Sequence, residues 1–65
     1  MVKFPNIKVR LVGNDGNAFA IMGTVKTAMR RGGCSKEDID TYLKEAMSGD
    51  YDNLLCVTCD TVEVL

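Results

Sequence analysis

A short glycine-containing run joins two different hydrophobic patterns and sets the order of the first elements. Before it, residues 7–11 alternate between apolar and charged, which is typical of a strand with one buried face. After it, from about residue 15 to 31, apolar residues recur every three or four positions, which indicates an amphipathic helix. The apolar stripe of this helix is Phe19, Met22, Val25 and Met29. The sequence therefore predicts a strand, a tight loop and a helix capped by Asn14 or Asp15.

Two more helices and a strand are predicted in the second half. A second helix follows Ser35, which we expect to be its N-cap, and shows one apolar face. That face consists of Ile39, Tyr42, Leu43, Ala46 and Met47. We expect Asp50 to cap a third, short helix and the β-branched run Thr61–Leu65 to form a strand. Periodicity leaves residues 57–59 open between that helix and that strand.

This order of elements predicts an α+β fold, a small β-α-α-(α)-β unit. We expect residues 1–65 to form a single small domain, with the two terminal strands paired and the helices packed on one face. A chain of about 60 residues buries only about 60% of its unfolded surface, and two strands alone make a weak sheet. A homodimer that joins two such sheets would remedy both weaknesses, so we expect a dimer.

Charge and hydropathy restrict the partners. Residues 1–31 carry six Lys or Arg and one Asp, whereas residues 32–65 carry two Lys and eight Asp or Glu. Packing of the two halves, or pairing of protomers, accounts for this asymmetry. Nucleic acid is an unlikely partner, because few of the basic residues cluster. No apolar run approaches the roughly 20 residues that cross a bilayer, and residues 1–6 lack a signal-peptide core, so we expect a cytoplasmic protein without membrane contact.

The chemistry-bearing residues favour no reaction. The chain has no histidine, which removes the commonest general base and metal ligand, and we predict no catalytic residue and no enzyme activity. Cys56 and Cys59 have Cys-x-x-Cys spacing, with Cys34 as a third thiol. Structural zinc almost always takes four ligands, so we expect no metal, no cofactor and three partly buried thiols. A cysteine-based metal or redox protein is the alternative.

The glycine loop is the one candidate ligand site. Free backbone N–H groups and the positive end of a helix dipole attract anions, which predicts a phosphorylated, nucleotide-like small molecule as a ligand. The candidate ligand-binding residues are Gly13, Asn14, Asp15, Gly16, Asn17 and Lys26. The loop has neither the dinucleotide-binding nor the P-loop pattern, and Asp15 would repel a phosphate. An ordinary capped turn between strand and helix is the alternative.

Two blocks, residues 8–23 and 48–55, together with the terminal Val62–Val64, resemble a group of short bacterial and phage-borne proteins without a known activity. The resemblance implies that Cys56 and Cys59 lie on a helix and that the final strand is short. It assigns no role to any residue. By analogy of size and origin, we predict a non-enzymatic binding protein, a phage-type effector that binds or inhibits a host protein.

Overall fold

The computed structural model describes residues 2–11 and 17–65, which form two strands and three helices. In chain order these are β1 (Phe4–Val9), α1 (Ala18–Arg31), α2 (Lys36–Ala46), α3 (Tyr51–Thr61) and β2 (Val62–Val64). The order β-α-α-α-β confirms the predicted α+β fold. Residues 57–59, which periodicity left open, are helical.

The two strands pair in parallel and form a two-stranded sheet. The register pairs Phe4 with Val62, Lys8 with Glu63 and Val9 with Val64. Backbone bonds extend the pairing at both ends, since Lys3 N donates to Asp60 O at 3.0 Å and Leu65 N donates to Val9 O at 2.8 Å. The predicted pairing of the two terminal strands is therefore confirmed.

The first strand begins earlier than its alternation predicts. Residues 7–11 were the expected strand, whereas β1 spans Phe4–Val9 and includes Pro5. The register is irregular between Phe4 and Lys8, so Pro5 lies where few regular ladder bonds are made. A missing proline N–H is tolerated at such a position.

The start of α1 corrects the predicted cap. Asn17 is the N-cap: its backbone is extended and its Oδ1 accepts a hydrogen bond from Phe19 N at 2.8 Å. The helix therefore begins at Ala18 rather than near residue 15. The predicted caps Asn14 and Asp15 were wrong and lie outside the described residues. Three Asn or Asp residues compete for one cap here, and sequence alone does not rank them.

The caps of the other two helices are confirmed. Ser35 Oγ accepts a hydrogen bond from Asp38 N at 3.1 Å at the start of α2. Asp50 Oδ1 accepts one from Asn53 N at 2.9 Å at the start of α3. Each side chain satisfies a backbone donor that the helix itself cannot, which fixes where the helix begins.

The core lies between the sheet and the helices. Its buried hydrophobic residues are Ile7, Val9, Ile21, Met22, Val25, Met29, Ile39, Tyr42, Ala46, Leu54 and Val62. Three residues of the predicted apolar stripes are not among them. Leu43 is partly buried and packs against the core, whereas Phe19 is 76% exposed and Met47 is 59% exposed. Phe19 lies one residue after the first residue of α1, and Met47 is the C-cap of α2. Both residues therefore lie at a helix terminus rather than in the middle of a helix that packs on the core.

Candidate binding surfaces

The two described residues of the predicted phosphate site, Asn17 and Lys26, lie apart on α1. Gly13, Asn14, Asp15 and Gly16 are outside the described residues. Asn17 caps α1, and Lys26 is exposed nine positions further along the helix. At a rise of about 1.5 Å per residue, Asn17 and Lys26 are separated by roughly 13 Å along the axis. The phosphorylated ligand stays a prediction.

The cysteines do not assemble a three-thiol site. Cys56 and Cys59 lie one turn apart on α3, as the resemblance implies, and both are exposed, so the expectation of three partly buried thiols was wrong for them. Cys34 follows α1 and is half-buried. Within residues 2–11 and 17–65, no three His, Cys, Asp or Glu side chains are grouped to hold a metal ion. Cys34 therefore does not complete a zinc site with the other two.

Two titratable groups among the described residues have a raised pKa. Burial raises the pKa of the Cys34 thiol, and the nearby Asp38 carboxylate adds to the effect. Burial also raises the pKa of Tyr42, which the hydrogen bond to Thr58 partly offsets. Tyr42 Oη and Thr58 Oγ1 are 2.8 Å apart and buried. Both shifts favour the protonated form, so neither group is activated as a nucleophile or base.

An apolar groove lies where α1 begins and α2 and α3 meet. It has a volume of about 270 Å³, and the buried side chains of Met22 and Leu54 line it. Phe19, Met47 and Tyr51 also line it and are 76%, 59% and 44% exposed. We call this the apolar groove. Sequence reasoning missed it, because Phe19 and Met47 match the helical period of the buried stripes.

A second, wider groove lies between β1 and α1. It has a volume of about 910 Å³, and residues 6–10 form one wall. The α1 wall carries small side chains, among them Gly23, Thr24 and Thr27. We call this the edge groove. Lys8, Arg10 and Arg31 line it, and its described lining includes neither an acidic nor an aromatic residue.

No helix in the described part of the chain is both long enough and apolar enough to cross a membrane. The buried hydroxyl groups of the described residues bond to each other or to backbone: besides the Tyr42–Thr58 pair, Thr61 Oγ1 donates to Val57 O at 2.7 Å. No buried side-chain polar atom in residues 2–11 and 17–65 lacks a partner.

Comparison with protein-family models, curated proteins and solved structures found no match to this chain.

Proposed function

We propose that the chain is a non-enzymatic binding protein whose apolar groove receives apolar side chains of a partner protein. The observation that carries this proposal is the exposure of Phe19, Met47 and Tyr51 around one groove. Large apolar side chains that are exposed together, rather than singly, are typical of interaction sites. Aromatic residues and methionine are also the types enriched in the cores of protein interfaces.

The apolar groove brings together residues from three elements. Phe19 comes from the first turn of α1, Met47 from the end of α2 and Tyr51 from the start of α3. Fully burying one such side chain contributes about 1.5–3 kcal/mol, so three of them can supply the central contacts of a small interface. Asp50 also lines the groove, and its carboxylate is engaged in capping α3.

The absence of an enzyme activity is part of the proposal. The sequence has no histidine. The buried hydroxyls of Tyr42 and Thr58 are satisfied by each other, and the pKa of Tyr42 and that of Cys34 are raised, away from their reactive forms. These features support binding rather than acid–base or nucleophilic catalysis.

The partner that we propose is a bacterial host protein that the chain binds or inhibits. The resemblance to short phage-borne proteins supports this class of partner. A second copy of the chain is the competing occupant of the apolar groove, because a homodimer would also cover Phe19 and Met47.

Affinity capture with surface variants tests the proposal. The immobilised protein is exposed to bacterial lysate, and Phe19→Ser and Met47→Ser are compared with Leu65→Ser. Leu65 is 54% exposed and does not line the groove, so its variant is a matched control. We expect one stoichiometric partner with the wild type and Leu65→Ser, and at least about tenfold less with Phe19→Ser, since central aromatic contacts often contribute 2 kcal/mol or more.

Two results would contradict the proposal. One is recovery of the same partner in equal amounts with all variants, or of no stoichiometric partner at all. The other is a wild-type molar mass of a dimer that Phe19→Ser converts to a monomer, which would assign the apolar groove to a second copy. Circular dichroism of each variant confirms that the fold is retained.

A further inference from the structure

We propose that the edge groove binds an extended acidic segment of a partner protein, which pairs with β1 as a third strand. This surface is distinct from the apolar groove: β1 and the middle and end of α1 form it, whereas the apolar groove lies at the start of α1 and the α2–α3 turn. The inference therefore stands whether or not the apolar groove binds a host protein.

Among the described residues, no strand neighbours the edge of β1 that lies opposite β2. In residues 2–11 and 17–65 the sheet consists of β1 and β2 alone. The carbonyl of Val9 accepts a hydrogen bond from Leu65 N at 2.8 Å and so faces β2. Because backbone groups alternate between the two edges of a strand, those of Lys8 face the edge groove. Arg10, which directly follows β1, also lines this groove. An added strand can pair with the backbone groups of Lys8.

The edge groove has room for a strand. Neighbouring strands lie about 4.8 Å apart, so an added strand beside β1 needs small side chains on the facing helix. Gly23 supplies such a place, because a Cβ atom built on it meets no other atom within 4 Å. At about 3.3 Å per residue, the wall formed by residues 6–10 is roughly 17 Å long and matches about five residues of an extended segment.

Charge selects the kind of segment. Lys8, Arg10 and Arg31 are exposed along the edge groove, and no described acidic residue lines it. Opposite charges on adjacent strands stabilise their pairing, and like charges destabilise it. Carboxylates on alternate residues of an incoming strand would lie near Lys8 and Arg10. An acidic segment is therefore favoured over a neutral or basic one.

The same charges disfavour two other occupants. Pairing of β1 with β1 of a second copy would bring the Lys8 and Arg10 side chains of the two copies together. Single-stranded nucleic acid binds largely by stacking bases on aromatic side chains, and the described lining of the edge groove has none.

The probe for this proposal is a fluorescein-labelled octapeptide of alternating Glu and Thr, with binding followed by fluorescence anisotropy. The first control peptide replaces Glu with Lys. The second keeps the Glu-Thr sequence but carries N-methyl groups on alternate amides, which removes the donors a strand needs. We expect both controls to bind at least about tenfold more weakly. We also expect the backbone amide of Lys8 to exchange more slowly with solvent when the Glu-Thr peptide is bound.

Three variants of the protein locate the binding. We expect Gly23→Leu to fill the edge groove and to retain the fold, because a Cβ atom at Gly23 meets nothing within 4 Å and leucine is a strong helix former. Arg31→Gln removes one cation that lines the groove, and Lys44→Gln removes an exposed cation of α2 outside it. We expect at least about tenfold weaker binding for Gly23→Leu, about two- to fivefold weaker binding for Arg31→Gln and no change for Lys44→Gln.

Several results would overturn the proposal. One is that the Glu-Thr peptide does not bind at concentrations up to about 1 mM. Another is that the N-methylated peptide binds as tightly as the unmethylated one, and a third is that Gly23→Leu binds the peptide as tightly as the wild type. An oligodeoxynucleotide of the same charge that displaces the peptide and binds more tightly would instead assign the edge groove to nucleic acid. Equal effects of Arg31→Gln and Lys44→Gln would show that net charge, not the groove, selects the peptide.

Discussion

At the scale of single residues, two glycines near one another in sequence have opposite surroundings. Gly23 is inside α1, and a Cβ atom added there meets nothing within 4 Å. Gly32 is the C-cap of the same helix, and a Cβ atom there would lie 2.7 Å from Ile7 Cγ1 and 2.8 Å from Ile7 Cδ1. Ile7 is a core residue and is 4% exposed, so it has little room to move. Gly32 thus allows the end of α1 to lie directly on β1.

We expect Gly23→Ala and Gly32→Ala to change stability in opposite directions. Gly23→Ala should raise the free energy of unfolding by about 0.5–1 kcal/mol, because alanine restricts the unfolded chain and favours the helix. Gly32→Ala should lower it by about 1–3 kcal/mol, because the added methyl group overpacks the core at Ile7. Urea denaturation of both variants measures these changes. A loss of stability in Gly23→Ala would show that a methyl group at this position does clash with neighbouring atoms.

At the scale of elements, Asp50 and Asn53 hold the turn between α2 and α3, where Ser48 Oγ also donates to Glu45 O at 2.7 Å. Asp50 Oδ1 accepts a hydrogen bond from Asn53 N at 2.9 Å, and Asn53 Nδ2 donates to Glu45 O at 3.0 Å. The first bond fixes the start of α3, and the second ties α3 back to the last turn of α2. Because Met47 and Tyr51 flank this turn, it also sets the shape of the apolar groove.

We expect Asp50→Ala to lower the free energy of unfolding by about 1 kcal/mol, the usual cost of losing an N-cap side chain. Asp50→Asn should restore most of that loss, since the asparagine oxygen can accept the same bond from Asn53 N. Thermal and urea unfolding of the pair measure the difference. Equal destabilisation by both substitutions would mean that the carboxylate charge, rather than the cap bond, stabilises α3.

Elements with a clear start signal could be predicted from the sequence. Ser35 and Asp50 stand directly before apolar periodic runs, and both cap as expected. The bounds of the first strand and the first helix were predicted less accurately. The alternation of residues 7–11 marks the buried side of β1, but the strand also includes Phe4 and Pro5, which do not alternate. Pairing with β2, a partner that is remote in sequence, decides where the strand begins.

The two grooves could not be predicted from the sequence. Periodicity shows which side of a helix is apolar, but not how far the neighbouring elements extend to cover it. Phe19 and Met47 fit the pattern and remain exposed, because they lie at the ends of their helices. The edge groove depends on β1 having only β2 beside it in the described sheet, which is a property of the tertiary fold.

At the scale of the whole molecule, Tyr42 links α2 to α3. Tyr42 of α2 is 2% exposed, and its hydroxyl is 2.8 Å from Thr58 Oγ1 of α3. The bond satisfies two polar atoms in the core, so the helices can pack without an unpaired group. Burial favours the neutral phenol and raises its pKa.

We expect the protein to lose stability in alkaline solution. The pKa values of Cys34 and Tyr42 are raised in the folded state, from ordinary values of 9.0 and 10.0. The contribution of the two protonated groups to the free energy of unfolding is therefore complete below pH 9.0 and 10.0, respectively. It is lost as the pH rises through the folded-state pKa values, because the unfolded chain releases its protons first. Urea unfolding between about pH 7 and pH 11 measures the decline.

Two variants separate the effect of Tyr42 ionisation from general effects of alkaline pH. Tyr42→Phe should reduce the decline in stability above about pH 10, although the variant is less stable near neutral pH because Thr58 loses its partner. Tyr51→Phe, which alters an exposed tyrosine, is the matched control. A decline that is equally steep in Tyr42→Phe would rule out this tyrosine as its source.

The parallel pairing of β1 with β2 has a consequence for biosynthesis. The three helices consist of contiguous segments and can form while translation continues, but β1 has no strand to pair with until residues 62–64 have left the ribosome. Until then, β1, which carries the core residues Ile7 and Val9, has no β2 beside it. The nascent chain therefore carries an unpaired β1 until β2 has been synthesised, and the sheet is completed only then.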